Sequence, residues 1–484
     1  MRFGIVAFIS GLLLSIFGAA MLIPAAFDFM YDGRSAHAFA YSAVISIFFG
    51  LLLTASSYHK WQKLTIKEMF LTTSCVWLLV VLFSALPFYF SGENINYPTA
   101  FFEAMSGLTS TGATALAKLD DLPKGILLWR AMMQWIGGLG IVMIAIAILP
   151  MLKVGGMQMF MTESSGKLEA KAIPRTSQVI SFIIGVYLFF TLCCIIMLYL
   201  AGMSFFDAVA HAMTCISTGG FSTHSNSIGY YASPEIEWIL IVFMIIGAIP
   251  FIAYYFLFVG YFEKFIKDTQ IKTFIAAIAV ISGALSSWLI FTDTGTDSFT
   301  LIRQSVFNVV SIITTTGYSI NNYELWGSFA VIIFFFLTLS GGCAGSSTGG
   351  IKIFRFNILF LNLLHYLKNM IYPHGVFTEH YNGRPLTEEI VNSVVIFVSI
   401  FFISIVFLTL ALSLTGLDLI TSLTGAMSAL ANTGPGLGST IGPAGNFSSL
   451  PDTAKWLLSL GMMLGRLEFT TVMVLLIPMT WKSS

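Results

Sequence analysis

Long apolar runs and shorter ones alternate along the chain in a regular order. Ten stretches are apolar and reach the length of about 20 residues that a helix needs to cross the hydrocarbon core of a bilayer. They occupy residues 3–27, 38–56, 69–91, 125–150, 178–201, 236–260, 271–293, 327–350, 389–414 and 453–480. The pattern predicts an all-α polytopic membrane protein embedded in a lipid bilayer.

Four further segments are too short to span a bilayer and lie between particular pairs of these stretches. They are residues 97–110, 204–217, 299–315 and 417–432. Each ends in a peptide rich in hydroxyl groups and glycine, and the four endings read TSTGAT, ISTGGFS, TTTGYS and ANTGPG. Alignment on their common Thr-Gly makes these glycines equivalent: Gly112, Gly219, Gly317 and Gly434.

The recurrence is an internal repeat with the order long helix, short helix, Thr-Gly loop, long helix. It predicts four repeated units of this order, preceded by an N-terminal two-helix hairpin. The third unit has a broken last helix. The predicted boundaries are 1–60 for the hairpin and 61–160, 170–265, 266–375 and 385–484 for the four repeats.

The distribution of basic residues indicates how the chain is oriented in the membrane. Most of the 23 Lys and Arg residues lie near the termini or in the loops 57–68, 151–176, 261–272 and 351–388. Loops rich in Lys and Arg face the cytoplasm. This topology predicts that all four Thr-Gly loops enter the membrane from the outer side.

Non-helical backbone at membrane depth is tolerated only inside protein or along a water-filled cavity. Four glycine-containing loops that meet around an axis would meet this condition, because glycine lets the carbonyls turn in one direction. Such carbonyls, with threonine hydroxyls, can replace the hydration shell of a monovalent cation. The predicted ion-binding residues are Ser110, Thr111, Gly112, Ser217, Thr218, Gly219, Thr315, Thr316, Gly317, Asn432, Thr433 and Gly434. One such tripeptide alone would be interpreted as a helix C-cap, but its fourfold recurrence favours an ion filter.

Together with these four endings, four further motifs resemble the TrkH/TrkG branch of the Trk/Ktr/HKT superfamily of potassium transporters. The motifs are QWIGGLG (134–140), SGGCAGSSTGGIKIFR (340–355), GPAGNFSSLP (442–451) and GRLEF (465–469). The resemblance covers essentially the whole chain. It implies that the four repeats are pseudo-symmetric, potassium-channel-like units of helix, pore helix, filter and helix. It implies that K⁺ is the transported ion, that the protein is a homodimer in the bacterial inner membrane, and that a cytosolic TrkA-type protein binding NAD or ATP regulates it.

The residues that follow the four aligned glycines differ from one repeat to the next. They are Ala113, Gly220, Tyr318 and Pro435. Only Tyr318 gives the Thr-Gly-Tyr order of a potassium channel filter. We therefore expect imperfect fourfold symmetry and a selectivity for K⁺ over Na⁺ that is less strict than in such channels.

The eighth apolar stretch contains a glycine-rich loop, residues 341–350, with glycine at positions Gly341, Gly342, Gly345, Gly349 and Gly350. Each glycine destabilises a helix by about 1 kcal/mol relative to alanine, so the helix should break here. The resemblance implies that this loop obstructs the pore beneath the filter and acts as a gate. The alternative is close helix packing through small residues.

Arg466 is the second candidate for the gate, because a cation within a membrane helix usually faces a cavity or a partner. It would repel K⁺ and bind carbonyls of the glycine-rich loop, and the resemblance implies such a barrier role. The alternative is an ion pair with Glu468. Lys352 and Arg355 are interpreted as topology anchors at the inner surface, and Glu103 as a brace behind the first filter segment.

Composition narrows the class of protein further. Only 10% of the residues are charged and the net charge is zero, which gives no attraction to nucleic acid. The sequence has no HExxH or nucleotide-binding glycine motif, so we expect a transporter that is not an enzyme and has no covalent cofactor. The alternative function is a secondary transporter for another solute, or a Na⁺-coupled symporter.

Overall fold

The computed structural model of the protein describes residues 3–31, 33–57, 65–147, 176–293 and 295–477. The N-terminal hairpin and the first repeat contain α1 (Phe3–Ala20), α2 (Leu22–Tyr31), α3 (Ala36–Ser56), α4 (Ile66–Ser84), α5 (Leu86–Phe90), α6 (Tyr97–Leu108) and α7 (Lys124–Ala147). The second repeat contains α8 (Thr176–Leu200), α9 (Phe205–Ile216), α10 (Pro234–Ala248), α11 (Phe251–Phe258) and α12 (Phe262–Lys267).

The third repeat contains α13 (Thr269–Thr292), α14 (Ser298–Ile313), α15 (Ser328–Leu339) and α16 (Ile353–Ile371). An antiparallel hairpin of β1 (His380–Tyr381) and β2 (Arg384–Pro385) follows it. The fourth repeat contains α17 (Glu388–Ser413), α18 (Leu419–Ala431), α19 (Asp452–Arg466) and α20 (Phe469–Leu476). Three short 3₁₀ helices, Leu119–Asp121, Ser227–Tyr230 and Tyr323–Trp326, lie in the loops that follow α6, α9 and α14.

Seven helices of the described residues are long and apolar enough to span a membrane, or eight if a bent pair counts as one span. The all-α polytopic fold with four repeats and an N-terminal hairpin is confirmed. Residues 148–150 of the fourth predicted stretch, 478–480 of the last one and nearly all of loop 151–176 lie outside the described residues, as do residues 58–64.

Besides one-residue interruptions at Met21 and Ala85, three of the predicted spans are broken; the break in 327–350 was predicted, and the other two correct the sequence prediction. The stretch 236–260 bends by 94° between α10 and α11, where Pro250 cannot donate a backbone hydrogen bond. The stretch 327–350 is helical only to Leu339, because the glycine-rich loop follows. The stretch 453–480 breaks between α19 and α20, where Glu468 has a left-handed φ of 59°.

The four short helices α6, α9, α14 and α18 begin at polar N-caps. The side chains of Asn96, Ser204, Asp297 and Asp418 accept hydrogen bonds from backbone N–H groups of the first turn. Such caps satisfy N–H groups that have no partner within the helix. A short helix can therefore begin inside the membrane region without leaving its first turn unsatisfied.

Each short helix packs against the last long helix of the preceding repeat. Helix α9 contacts α7, α14 contacts α10, and α18 contacts α15. The series closes because α6 of the first repeat contacts α19 of the fourth. The four repeats therefore surround a common axis, and their short helices lie close to this axis.

Candidate functional site

The loops that follow the four short helices share one unusual backbone turn. In each loop a residue with a left-handed φ is followed, two positions later, by a glycine with a left-handed φ. The pairs are Ser110 and Gly112, Thr218 and Gly220, Thr315 and Gly317, and Asn432 and Gly434, with φ between 50° and 103°. Only glycine adopts this conformation at little cost.

The residue between each pair donates its backbone N–H to the carbonyl five positions earlier. These bonds join Thr111 to Ser106, Gly219 to Thr214, Thr316 to Ser311 and Thr433 to Ser428, at 2.8–3.1 Å. The hydrogen bonds and the φ angles thus define the same register in all four repeats. In the second repeat this register is Thr218-Gly219-Gly220.

The alignment of the second repeat by its Ser-Thr-Gly is therefore wrong by one residue. Ser217 corresponds to Thr109 and Thr314, which cap the preceding helices, and Gly219 occupies the position of the threonines. Two adjacent glycines allowed either alignment, and only the backbone geometry distinguishes them. Gly220 is the glycine equivalent to Gly112, Gly317 and Gly434.

The four turns contact one another in a closed cycle. A Cβ atom added to each left-handed glycine would collide with a backbone carbonyl oxygen of the next repeat, at 2.8 Å or less. Gly112 faces Gly219, Gly220 faces Thr316, Gly317 faces Thr433, and Gly434 faces Thr111. We call these four turns the filter ring.

A single cavity adjoins the filter ring, and all four left-handed glycines line it. Among the described residues that line it, none is a carboxylate; backbone, hydroxyl and apolar groups predominate. Carbonyl and hydroxyl oxygens without a fixed carboxylate suit a monovalent cation better than Ca²⁺. The ring therefore has the composition expected of a monovalent cation site.

Buried side chains hold the ring from behind. Asn432 donates to the Thr111 hydroxyl at 3.0 Å and to the carbonyl of Met462 at 2.9 Å. The Tyr318 hydroxyl lies 2.5 Å from the Thr214 hydroxyl and donates to the carbonyl of His211. The bond from Asn432 to Thr111 joins the fourth and first repeats, and those of Tyr318 join the third and second, so hydrogen bonds between repeats help to fix the ring.

The glycine-rich loop lies directly against the ring. The backbone N–H of Gly349 donates to the Thr315 hydroxyl at 2.8 Å, and the Ser347 hydroxyl lies 3.1 Å from that of Thr218. The ends of the loop are joined by a bridge between Ser340 and Ile351. The loop is therefore a closed, buried segment in contact with the second and third turns.

Arg466 connects this loop to the ring. Its Nη1 donates to the carbonyl of Ser347 at 2.9 Å and its Nη2 to the Ser110 hydroxyl at 3.3 Å. Within the described part of the chain it forms no ion pair, and its side chain is buried. The predicted alternative partner, Glu468, binds Arg355 instead at 2.6 Å.

The chain is similar to known proteins over nearly all of its length. A family model described as "TrkH: Cation transport protein" matches residues 35–483. The chain belongs to the TrkH family of cation transport proteins. It is a multi-pass membrane protein, and the family is one of transporters, not of enzymes.

The chain is 46% identical over 416 residues to the Trk system potassium uptake protein TrkI of Halomonas elongata, covering 86% of this chain and 84% of that protein. It is 35% identical to the Trk system potassium uptake protein TrkH of Escherichia coli K12, over all of both chains. The crystal structure of the potassium transporter TrkH from Vibrio parahaemolyticus aligns over all of both chains with a TM-score of 0.92 and 34% identity.

Two basic residues of this TrkH-family chain contradict the sequence prediction. Lys352 and Arg355 are not anchors at the inner surface, since both are buried. Lys352 donates to the carbonyl of Thr348 and lies 3.3 Å from its hydroxyl, while Arg355 pairs with Glu468 and stacks on Phe397 at 3.5 Å. Hydropathy is averaged over a window of residues, so it cannot show that the side chains of individual basic residues point into the protein interior.

Two polar residues of α7 that sequence reasoning missed also support the ring. Arg130 pairs with Glu103 at 2.7 Å and donates to the carbonyl of Ser222 at 2.8 Å. Gln134, one turn later, binds the second turn of the ring. Both lie on one face of an otherwise apolar helix, at positions four residues apart, and this pattern was the available signal. Glu103 also accepts from the N–H of Ala115 at 2.9 Å, immediately beyond the first turn.

The outer mouth of the ring contains a charged cluster. His224 lies 2.6 Å from Asp120 and 3.8 Å from Asp207, and it stacks on Tyr230. Burial alone would lower the pKa of His224, but the hydrogen bond with Asp120 and the charges of Asp207 and Asp120 outweigh it and raise the pKa. The imidazole of the second repeat thus contacts the loop of the first repeat through Asp120.

Proposed function

We propose that this protein takes up K⁺ across the bacterial inner membrane through the filter ring. The observation that carries the proposal is the closed cycle in which each left-handed glycine faces a carbonyl of the next repeat. The proposed ion-binding residues are Ser110, Thr111, Gly112, Thr218, Gly219, Gly220, Thr315, Thr316, Gly317, Asn432, Thr433 and Gly434. Similarity to proteins named as potassium uptake proteins supports K⁺ as the ion.

The proposed gate consists of the glycine-rich loop and Arg466. The loop touches the filter ring through Gly349 and Ser347, and Arg466 adds a buried positive charge beside it. A cation leaving the ring toward the cytoplasm would meet both, so conduction requires the loop and the arginine to move. Glycines at Gly341, Gly342, Gly345, Gly349 and Gly350 would allow the backbone to rearrange.

We further propose a homodimer regulated by a cytosolic TrkA-type protein that binds NAD or ATP. The relatives are named as members of a Trk system, which supports a multi-component assembly. The proposed docking surfaces are the loops 151–176 and 351–388, of which the second carries the exposed Tyr372 and Val376 ahead of the β1–β2 hairpin. Co-purification of a TrkA-type protein should be lost in Val376→Asp if this surface is used.

Uptake of ⁸⁶Rb⁺ into liposomes that contain only this protein tests the transport proposal. We expect uptake that excess K⁺ abolishes and excess Na⁺ reduces less. The arginine variant Arg466→Ala should carry Rb⁺ faster. Liposomes without any Rb⁺ uptake, with either the natural protein or the arginine variant, would contradict the proposal.

A further inference from the structure

The second turn of the filter ring lacks a side chain that the other three possess. Thr111, Thr316 and Thr433 occupy equivalent positions, whereas the second repeat has Gly219. Gly219 is not in the left-handed region, because only Gly220 of this pair has a positive φ. Its backbone would therefore accept a threonine, and another feature must account for the glycine.

The space beside Gly219 is filled by the carboxamide of Gln134. A Cβ added to Gly219 would approach the Cδ, Oε1 and Nε2 atoms of Gln134 to within 2.8 Å, closer than van der Waals contact allows. These are the three nearest atoms that it would meet. Gln134 is fully buried and belongs to α7 of the first repeat. One residue thus occupies, from a neighbouring repeat, the volume that a threonine would take.

The carboxamide also binds the backbone on both sides of Gly220. Its Nε2 donates to the carbonyl of Gly219 at 2.6 Å, and its Oε1 accepts from the N–H of Phe221 at 3.0 Å. The Ser110 hydroxyl of the first turn donates to the backbone carbonyl of Gln134 at 3.2 Å. Gln134 therefore fixes the second turn and connects it to the first.

We infer that Gln134 is a positioning residue of the filter ring that sets discrimination between K⁺ and Na⁺. The carbonyl of Gly219 is the one that Gly112 faces in the ring. Selectivity depends on the size of such a ring and on the number and field strength of its carbonyls. The amide of Gln134 limits the movement of this carbonyl and competes with an ion for its lone pairs. Loss of the amide would let the carbonyl approach a smaller ion.

The inference rests on the proposed function and is tested by the ratio of K⁺ to Na⁺ uptake in liposomes. Gln134→Leu keeps most of the volume and removes both hydrogen bonds, and the ratio should fall by about three- to tenfold, as expected for one or two buried bonds. Gln134→Asn, which withdraws the amide by one methylene, should lower the ratio less. Gln134→Asn also allows the uptake ratio to be measured if Gln134→Leu does not fold.

Gln270→Leu is the matched control, because Gln270 is also fully buried but accepts its bond from Ala344 of the glycine-rich loop and not from a residue of the ring. It should leave the ratio unchanged even if it alters the total uptake. A role of Gln134 in folding alone would affect the yield of protein and not the ratio.

The double variant Gln134→Ala with Gly219→Thr provides a rescue. The double variant removes the carboxamide from the space beside position 219 and places there the threonine that the other repeats have. Its ratio of K⁺ to Na⁺ uptake should therefore exceed that of Gln134→Ala or Gly219→Thr alone. Equal ratios in the natural protein, Gln134→Leu and Gln134→Asn would overturn the inference alone. A natural protein that carries neither ion would overturn the proposed function and the inference with it.

Discussion

The filter ring is built from uncharged oxygen atoms, whereas the layer that adjoins it holds the buried cations Lys352, Arg355 and Arg466 with the buried carboxylate of Glu468. A neutral ring can bind a cation without trapping it, because no fixed charge holds the ion. A cationic layer raises the energy of the same ion. The two regions share Arg466, which binds both the ring and the glycine-rich loop.

The comparison indicates a division of roles under the proposed function. The ring is rigid, since hydrogen bonds between repeats help to fix it. The adjoining layer depends on glycine backbone and on charges, both of which can rearrange. Selection is therefore expected from the ring and gating from the layer, and variants in the two regions should affect different measurements.

The largest expected effect concerns the carboxylate of the cationic layer. Glu468→Gln removes the charge that faces the buried Arg355, and breaking a buried ion pair costs about 3–5 kcal/mol of stability. The melting temperature in detergent should fall strongly. The double variant Arg355→Met with Glu468→Gln should recover much of it, and equal losses in both variants would contradict this account of the layer.

The next effect concerns the ring. Gly317→Ser forces a side chain into a left-handed conformation, at a cost of about 1–2 kcal/mol, and against the carbonyl of Thr433. The ratio of Rb⁺ to Na⁺ uptake should fall about tenfold or more while the protein still folds. Gly383→Ser is the matched control, because Gly383 has a similar φ of 75° and open space around it. An unchanged ratio in Gly317→Ser would place the ion pathway elsewhere.

Arg466 should act on the rate and not on the selectivity. Removing its charge in Arg466→Ala should raise Rb⁺ uptake by about fivefold or more, because a nearby unit charge contributes several kcal/mol at intermediate dielectric. Arg466→Lys retains the charge and should stay close to the natural rate. If the Rb⁺/Na⁺ ratio changed and the rate did not, the division between ring and layer would be wrong.

The smallest effect is expected at the outer mouth. The raised pKa of His224 means that its protonated form stabilises the fold below about pH 6.5, the pKa of an unperturbed histidine, and that this contribution disappears as pH rises through the higher folded pKa. The melting temperature of the natural protein should therefore decline on alkalinisation more than that of His224→Asn. The corresponding difference in the free energy of unfolding should amount to no more than about 1 kcal/mol.

Asp207 contributes with the opposite sign. Burial alone would raise its pKa, but hydrogen bonds from Thr223 and Ser204 and the neighbouring His224 lower it well below the usual value. This stabilisation is present above the pKa of an unfolded aspartate and is lost on acidification. His380→Asn, in the inner hairpin, serves as the control, and identical pH profiles for the natural protein and His224→Asn would show that the cluster does not stabilise the mouth.

The repeats, the four short helices and the break at the glycine-rich loop could be predicted from the sequence, because each leaves a signal in local composition. The register of the second turn could not, since Gly219 and Gly220 carry no side chain that distinguishes them. Arg466 binds a carbonyl of the glycine-rich loop as predicted, but its bond to Ser110 and the pairing of Glu468 with Arg355 escaped prediction. Arg466 and Glu468 are only two positions apart in the sequence, but the helix breaks between them and they bind different partners.

The role of Gln134 was hidden for a related reason. Its motif was used only for the family resemblance, and nothing in the local pattern connects it to a turn 85 residues away in the chain. The absence of a threonine at position 219 and the presence of an amide at position 134 become one feature only when the two repeats are adjacent in space.

The central claim is that the four turns form one cation site. Anomalous diffraction from crystals of the protein grown with Rb⁺ tests it most directly. We expect a peak on the common axis, surrounded by the carbonyl oxygens of Thr111, Gly219, Thr316 and Thr433. Well-ordered crystals with Rb⁺ peaks only elsewhere in the protein, or with none in the ring, would contradict it.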